Sequence, residues 1–138
     1  MPALIACLLM SALSGPADLQ TVARGTLSAV ERPRQAAVQT QNEWESLWRQ
    51  HAPAEPAPPI DFTRRTVLAV FLGTKMTAGY DVEITAVEAG AARVTVRYRE
   101  RAPGPDDMTA QVITSPFHIV SVPRLTGDIT FVKAARER

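Results

Sequence analysis

The chain has 138 residues, 46% apolar and 21% charged, with a net charge of +1. That composition fits one globular domain with its own core and excludes a disordered chain. A charge so near zero gives no electrostatic case for nucleic acid, and no apolar run reaches the roughly 20 residues of a transmembrane helix.

Pro2 to Leu13 is almost wholly apolar and has the length of a signal-peptide core. Ala12-Leu13-Ser14 offers a small-x-small cleavage site, so residues 1–14 are expected to be an export signal. A second reading stays open. Leu4-Ile5-Ala6-Cys7 has the form of a lipobox, in which Cys7 would carry lipid and tether the domain to a membrane surface. Cys7 is the one cysteine, so the domain is expected to lack disulfides and thiolate metal sites.

Residues 15–24 lack periodicity and read as a linker, with a single domain over 25–133 and a short tail at 134–138. One or two strands are expected between Gly25 and Gln39, interrupted at Pro33, which cannot donate to a ladder.

A helix is predicted over about 41–51. Thr40 and Glu43 have capping-box spacing, and Trp44, Leu47, Trp48 and His51 fall on one face. The tryptophans read as core anchors, with ligand stacking the alternative. His51 reads as a partly buried end residue rather than a metal ligand. Ala52 to Pro59 holds four prolines in eight residues, which stops the helix and makes a stiff connector.

Val67 to Leu72 is a continuous apolar run, as expected of a central strand covered on both faces, and Gly73 ends it. Tyr80 to Glu88 and Ala92 to Glu100 read as a hairpin around Ala89-Gly90-Ala91. That register sets Val82 against Tyr98, Ile84 against Val96 and Ala86 against Val94, and pairs Glu83 with Arg97 and Asp81 with Arg99. The row Arg93, Arg97, Arg99 and Arg101 then reads as a solvated face, with an anion-binding patch as the alternative. Three more strands are expected at Met108 to Thr114, Phe117 to Val122 and Asp128 to Lys133. The fold class is α+β, predominantly antiparallel β, with seven or eight short strands and one helix.

No catalytic set emerges. His118 lies in a strand, and Ser115 and Ser121 stand an odd three residues away, on the opposite face. Asp61, Asp106, Asp107 and Asp128 occupy turn-like settings. There is no nucleophile elbow, phosphate loop or zinc motif. The expectation is a protein that is not an enzyme and needs no cofactor or metal. Two segments exceed what structure needs: the loop Gly73 to Tyr80, long for a strand connection, and Gln111 to Arg124.

The ordered series Glu43-Trp44-x-x-Leu47-Trp48, Asp61-Phe62, Val70-Phe71-Leu72-Gly73, Thr77-Ala78-Gly79-Tyr80, Gln111 and Thr114-x-Pro116-Phe117-His118-Ile119-Val120 resembles the C-terminal domain of the protease-complex subunit PrcB family, over about Val38 to Lys133. The resemblance implies a secreted, periplasmic or lipoprotein domain that binds another envelope protein, such as a protease, without catalysis. Its membrane association would run only through a lipid on Cys7. The expected partner-binding residues are Thr74, Lys75, Met76, Thr77, Ala78, Gly79, Tyr80 and His118. The Thr77 to Tyr80 loop also looks like the inhibitory loop of chagasin-type cysteine-protease inhibitors, although their glycine-rich second loop and Arg-Pro-Trp third loop are absent. Protease inhibition through Gly73 to Tyr80 is therefore the alternative.

Overall fold

The computed structural model describes residues 19–134. The segment read as an export signal, Cys7 with its lipid alternative, and residues 135–138 of the tail lie outside the described residues.

The strands are β1 (Gln20–Gly25), β2 (Arg34–Val38), β3 (Arg65–Phe71), β4 (Asp81–Ala89), β5 (Arg93–Arg101), β6 (Phe117–Pro123) and β7 (Asp128–Lys133), and the helix is α1 (Gln41–His51). They form a four-stranded sheet, β1-β6-β3-β2, and a three-stranded sheet, β4-β5-β7. The expected fold class, mainly antiparallel β with one helix, is what forms. One pairing departs from it: β7 lies parallel to β5.

β3 explains the layering. It lies between β2 and β6, and its side chains alternate between two buried surfaces. Leu68 and Val70 join Val82, Ile84, Val87, Val94 and Val96 of the second sheet. Val67, Ala69 and Phe71 join Trp44, Leu47 and Trp48 of α1. A strand covered on both faces has no polar side, hence the unbroken apolar run.

Thr40 caps α1 from an extended conformation, its Oγ1 accepting from the Glu43 amide. The same hydroxyl donates to the Glu43 carboxylate at 2.9 Å, a reciprocal N-terminal cap. The proline-rich connector has a second role. Its Ala52 carbonyl closes a turn with the Glu55 amide at 3.1 Å, and the carbonyls of Glu55 and Pro58 accept from the tryptophans. Trp44 Nε1 donates to Pro58 O at 2.9 Å and Trp48 Nε1 to Glu55 O at 3.0 Å. Each buried indole N–H thus has the partner that burial requires. Both tryptophans are core anchors.

Three local expectations need correction. Residues 20–24 are not linker but most of β1, which pairs with β6; its partner is distant in sequence and its own apolar pattern is weak. Between Gly25 and Gln39 one strand forms, β2, after Pro33, within the one or two expected. Residues 108–113 are not a strand; Thr114 makes an isolated bridge to Lys75.

The hairpin is the third. Its loop is one residue later than expected, and a bulge separates Ile84 from Ala86. Ile84 therefore faces Tyr98, Val87 faces Val96 and Ala89 faces Val94. The bulge changes the alternation, so Val87 rather than Ala86 enters the core. Acid–arginine pairing survives with other partners, Glu83 with Arg99 at 2.6 Å and Glu88 with Arg97 at 2.9 Å. Charge matching alone did not distinguish the two registers.

Gly73 ends β3 with φ +78°. A Cβ there would lie 2.8 Å from Pro33 Cδ and 2.9 Å from the Glu31 carbonyl. Gly73→Ala is expected to cost about 2–3 kcal/mol from backbone strain and the clash. A urea midpoint unchanged from wild type would refute this.

Candidate functional site

Gly25, Phe117, Phe71 and Arg34 stand in one row across the four-stranded sheet. The connections 26–33, 72–80 and 102–116 therefore leave from the same end of the molecule. Backbone bonds stitch them together. Ser115 N donates to Thr26 O at 2.7 Å and Ser28 N to Ser115 O at 3.1 Å. Lys75 and Thr114 exchange both bonds, at 2.7 and 2.9 Å, and Ala78 N donates to Ala110 O at 3.0 Å. Thr114 Oγ1 donates to Thr77 O, and Ser115 Oγ to Val30 O. A partner meeting this end would meet a preorganised surface.

That surface carries apolar side chains. Leu27 is 78% exposed, Met76 70% and Ile113 63%, with Val112 and Met108 also exposed. These five come from the three stitched loops. Single exposed apolar residues are ordinary; five on three loops bonded to one another make this end a candidate interaction surface.

The residues expected from the sequence divide here. Thr74 and Met76 are exposed, and Lys75 is half-buried, with its Nζ 5.1 Å from the centre of the Tyr80 ring. The Thr77 carbonyl and Ala78 amide are spent on Thr114 and Ala110. Gly79 has φ +96°, and a Cβ there would lie 3.0 Å from Thr109 and 3.1 Å from Pro103. Tyr80 packs against the core. Much of the loop is therefore a brace holding Thr74 and Met76 outward.

His118 does not belong to this surface. It is 2% exposed, and both ring nitrogens are engaged. Nδ1 accepts from the Ile84 amide at 2.9 Å, which leaves the proton on Nε2, 2.9 Å from Thr21 Oγ1. The imidazole links β6 to β1 and to the bulged part of β4. Burial, and secondarily the nearby Arg24, lowers its pKa to about 4; Glu83 and Asp81 oppose this. Its expected place among the partner-binding residues is corrected: both nitrogens serve the core. His51 is also buried, against Trp48 and Phe117, with Nδ1 2.8 Å from Ser28 Oγ. Burial lowers its pKa too.

The arginine row resolves into a solvated ionic face. Arg97 and Arg99 pair with Glu88 and Glu83. Arg24 of β1 reaches across to Asp81 at 2.7 Å and Glu83 at 3.1 Å, bridging the two sheets.

Leu27 and Met108 were not singled out by sequence; Val112 and Ile113 fell within the segment Gln111 to Arg124 that was, but not among the expected partner-binding residues. The adjacent pair Val112-Ile113 was the available signal, because in a half-buried strand one of two neighbouring apolar residues must face water.

No curated protein and no solved structure matches the chain. Trp44 and Trp48, which carried part of the sequence resemblance, lie outside the stretch that a family model does match. Residues 66–123, from β3 through the stitched loops to the end of β6, match the family described as PrcB C-terminal.

Proposed function

We propose that the chain is a non-catalytic, exported protein-binding module, an accessory subunit of an envelope protease complex that docks through its three-loop end. The observation that carries this is the gathering of Leu27, Met76, Met108, Val112 and Ile113 on loops locked together by backbone bonds. The family match supports association with a protease complex, and so a protein as partner. The burial of His51 and His118 supports a role without acid–base catalysis.

The test is recovery of partners from the native cell envelope with the tagged full chain, beside the double variant Met76→Asp, Ile113→Asp. Both sites are exposed, so folding is expected to be unchanged within about 0.5 kcal/mol. Wild type should retain a protease in stoichiometric amount. The variant should lose at least about tenfold of it, the effect of removing one central apolar anchor. Equal recovery by both would move docking away from this end, and no stoichiometric partner for either would remove the accessory role.

A further inference from the structure

Among the described residues, β1 and β2 border one sheet and β4 and β7 the other. A border strand presents unpaired amides and carbonyls, and proteins blunt it with bulges, charges, shortness or a cover. β4 has a bulge between Ile84 and Ala86, its Ile84 amide is taken by His118 Nδ1, and Arg24 crosses to Asp81 and Glu83. β1 has a bulge between Thr21 and Ala23 and carries the Arg24 charge. β2 has only five residues and opens on Arg34, whose guanidinium donates to Gln50 of α1. β7 is the exception. It runs Asp-Ile-Thr-Phe-Val-Lys with no bulge, proline or glycine, and its charges stand only at its two ends.

The Asp128 amide donates to Ala92 O at 3.3 Å and the Ala134 amide to Tyr98 O at 2.7 Å. Backbone groups alternate sides along a strand. Thr130 and Val132 therefore also turn theirs to β5, while Ile129, Phe131 and Lys133 turn theirs outward. Among the described residues no strand meets that outward edge. The core is open there as well: Ile129 and Phe131 pack against it but are only half-buried, and Val132 is exposed on the other face. We infer that β7 pairs with β7 of a second copy of this chain, antiparallel about a two-fold axis at Phe131, joining their three-stranded sheets into one. The residue order of β7 favours a second copy, because the strand complements its own reverse. Two-fold pairing sets Phe131 opposite its own copy, Thr130 opposite the second copy's Val132, and Ile129 opposite the aliphatic stem of the second copy's Lys133. It brings the Asp128 end of each strand to the Lys133 end of the other, and no like charges meet. About six main-chain hydrogen bonds form, two for each facing pair of outward residues. The three-loop ends of the two copies then point in opposite directions, so both stay open whatever they bind.

Sedimentation equilibrium of the full chain over a concentration series tests this. Wild type should pass from monomer to dimer as concentration rises. Thr130→Lys, Val132→Lys puts lysine opposite lysine at each of these facing pairs, and Thr130→Glu, Val132→Glu puts glutamate opposite glutamate. Both positions are exposed, so the monomer should keep its fold, checked by its melting temperature. Each variant alone should dimerise at least about tenfold more weakly than wild type. An equimolar mixture of the two should recover that loss, because every lysine then faces a glutamate. Val132 neighbours Arg97, so if the lysine variant fails to fold, the glutamate variant gives the same reading alone. Wild type that stays monomeric up to its solubility limit would overturn the inference. So would folded variants that dimerise as tightly as wild type, which would move self-association to another surface. A mixture no tighter than its components would refute the two-fold antiparallel register.

Discussion

Replacing Trp44 by Ala should remove about 4 kcal/mol of stability, read as a lowered denaturant midpoint. Trp44 is fully buried between α1 and β3, packed beside Trp48 at 5.3 Å between ring centres. The change leaves a cavity and deprives the Pro58 carbonyl of its donor. A domain of this size holds about 5–15 kcal/mol in all, so the variant should be marginal at best. Trp44→Phe separates the two contributions. It keeps most of the apolar volume and loses the hydrogen bond, and should cost about 1–2 kcal/mol. A loss under about 1 kcal/mol for the alanine variant would mean that α1 and the proline-rich connector are not part of the cooperative core.

The second large effect is in pH. His118 has a folded pKa of about 4, below the ordinary 6.5. A group that titrates lower in the folded state stabilises the fold while it is neutral. That contribution is fully present above pH 6.5 and is lost as the pH falls toward 4. The whole span corresponds to roughly 3 kcal/mol. Protonation also turns Nδ1 into a donor facing the Ile84 amide, which is itself a donor. His51, lowered by burial as well, acts in the same direction. His118→Gln can keep both hydrogen bonds and cannot titrate. Wild type should therefore lose stability more steeply than the glutamine variant between pH 6.5 and 4. Parallel curves would show that His118 does not govern the acid response. Glu88 and Asp61, held low by Arg97 and Thr63 respectively, titrate alike in both proteins and cancel in the comparison.

These two sites differ in how far sequence alone reveals them. The helix was legible because capping and the Trp44 to His51 stripe are local signals within one turn or two. β3 was legible because burial on two faces leaves no polar position. β1 was not, since its order comes from β6, 97 residues away at the Thr21–His118 contact. The hairpin shows the limit of pattern matching. Its strands and its acid–arginine pairing followed from sequence, but the bulge at Thr85 shifted the partners. The candidate surface was half legible. Loop length singled out Thr74 to Met76, while Val112 and Ile113 were absorbed into an expected strand. His118 was misplaced among binding residues because its two partners, Thr21 and Ile84, meet it only in three dimensions.

β1 also fixes the polarity of the molecule. The chain enters at Gln20, opposite Ser121, and reaches the loop end at Gly25, opposite Phe117. A strand of six residues spans about 20 Å, so whatever precedes Leu19 joins the pole opposite the apolar surface. β7 runs parallel to β5, and its last residue lies across from Tyr98, toward the loop end. The two termini are therefore unequal as handles. An attachment before Leu19 points the loops away from its support, whereas one placed after Lys133 crowds the side a partner would approach.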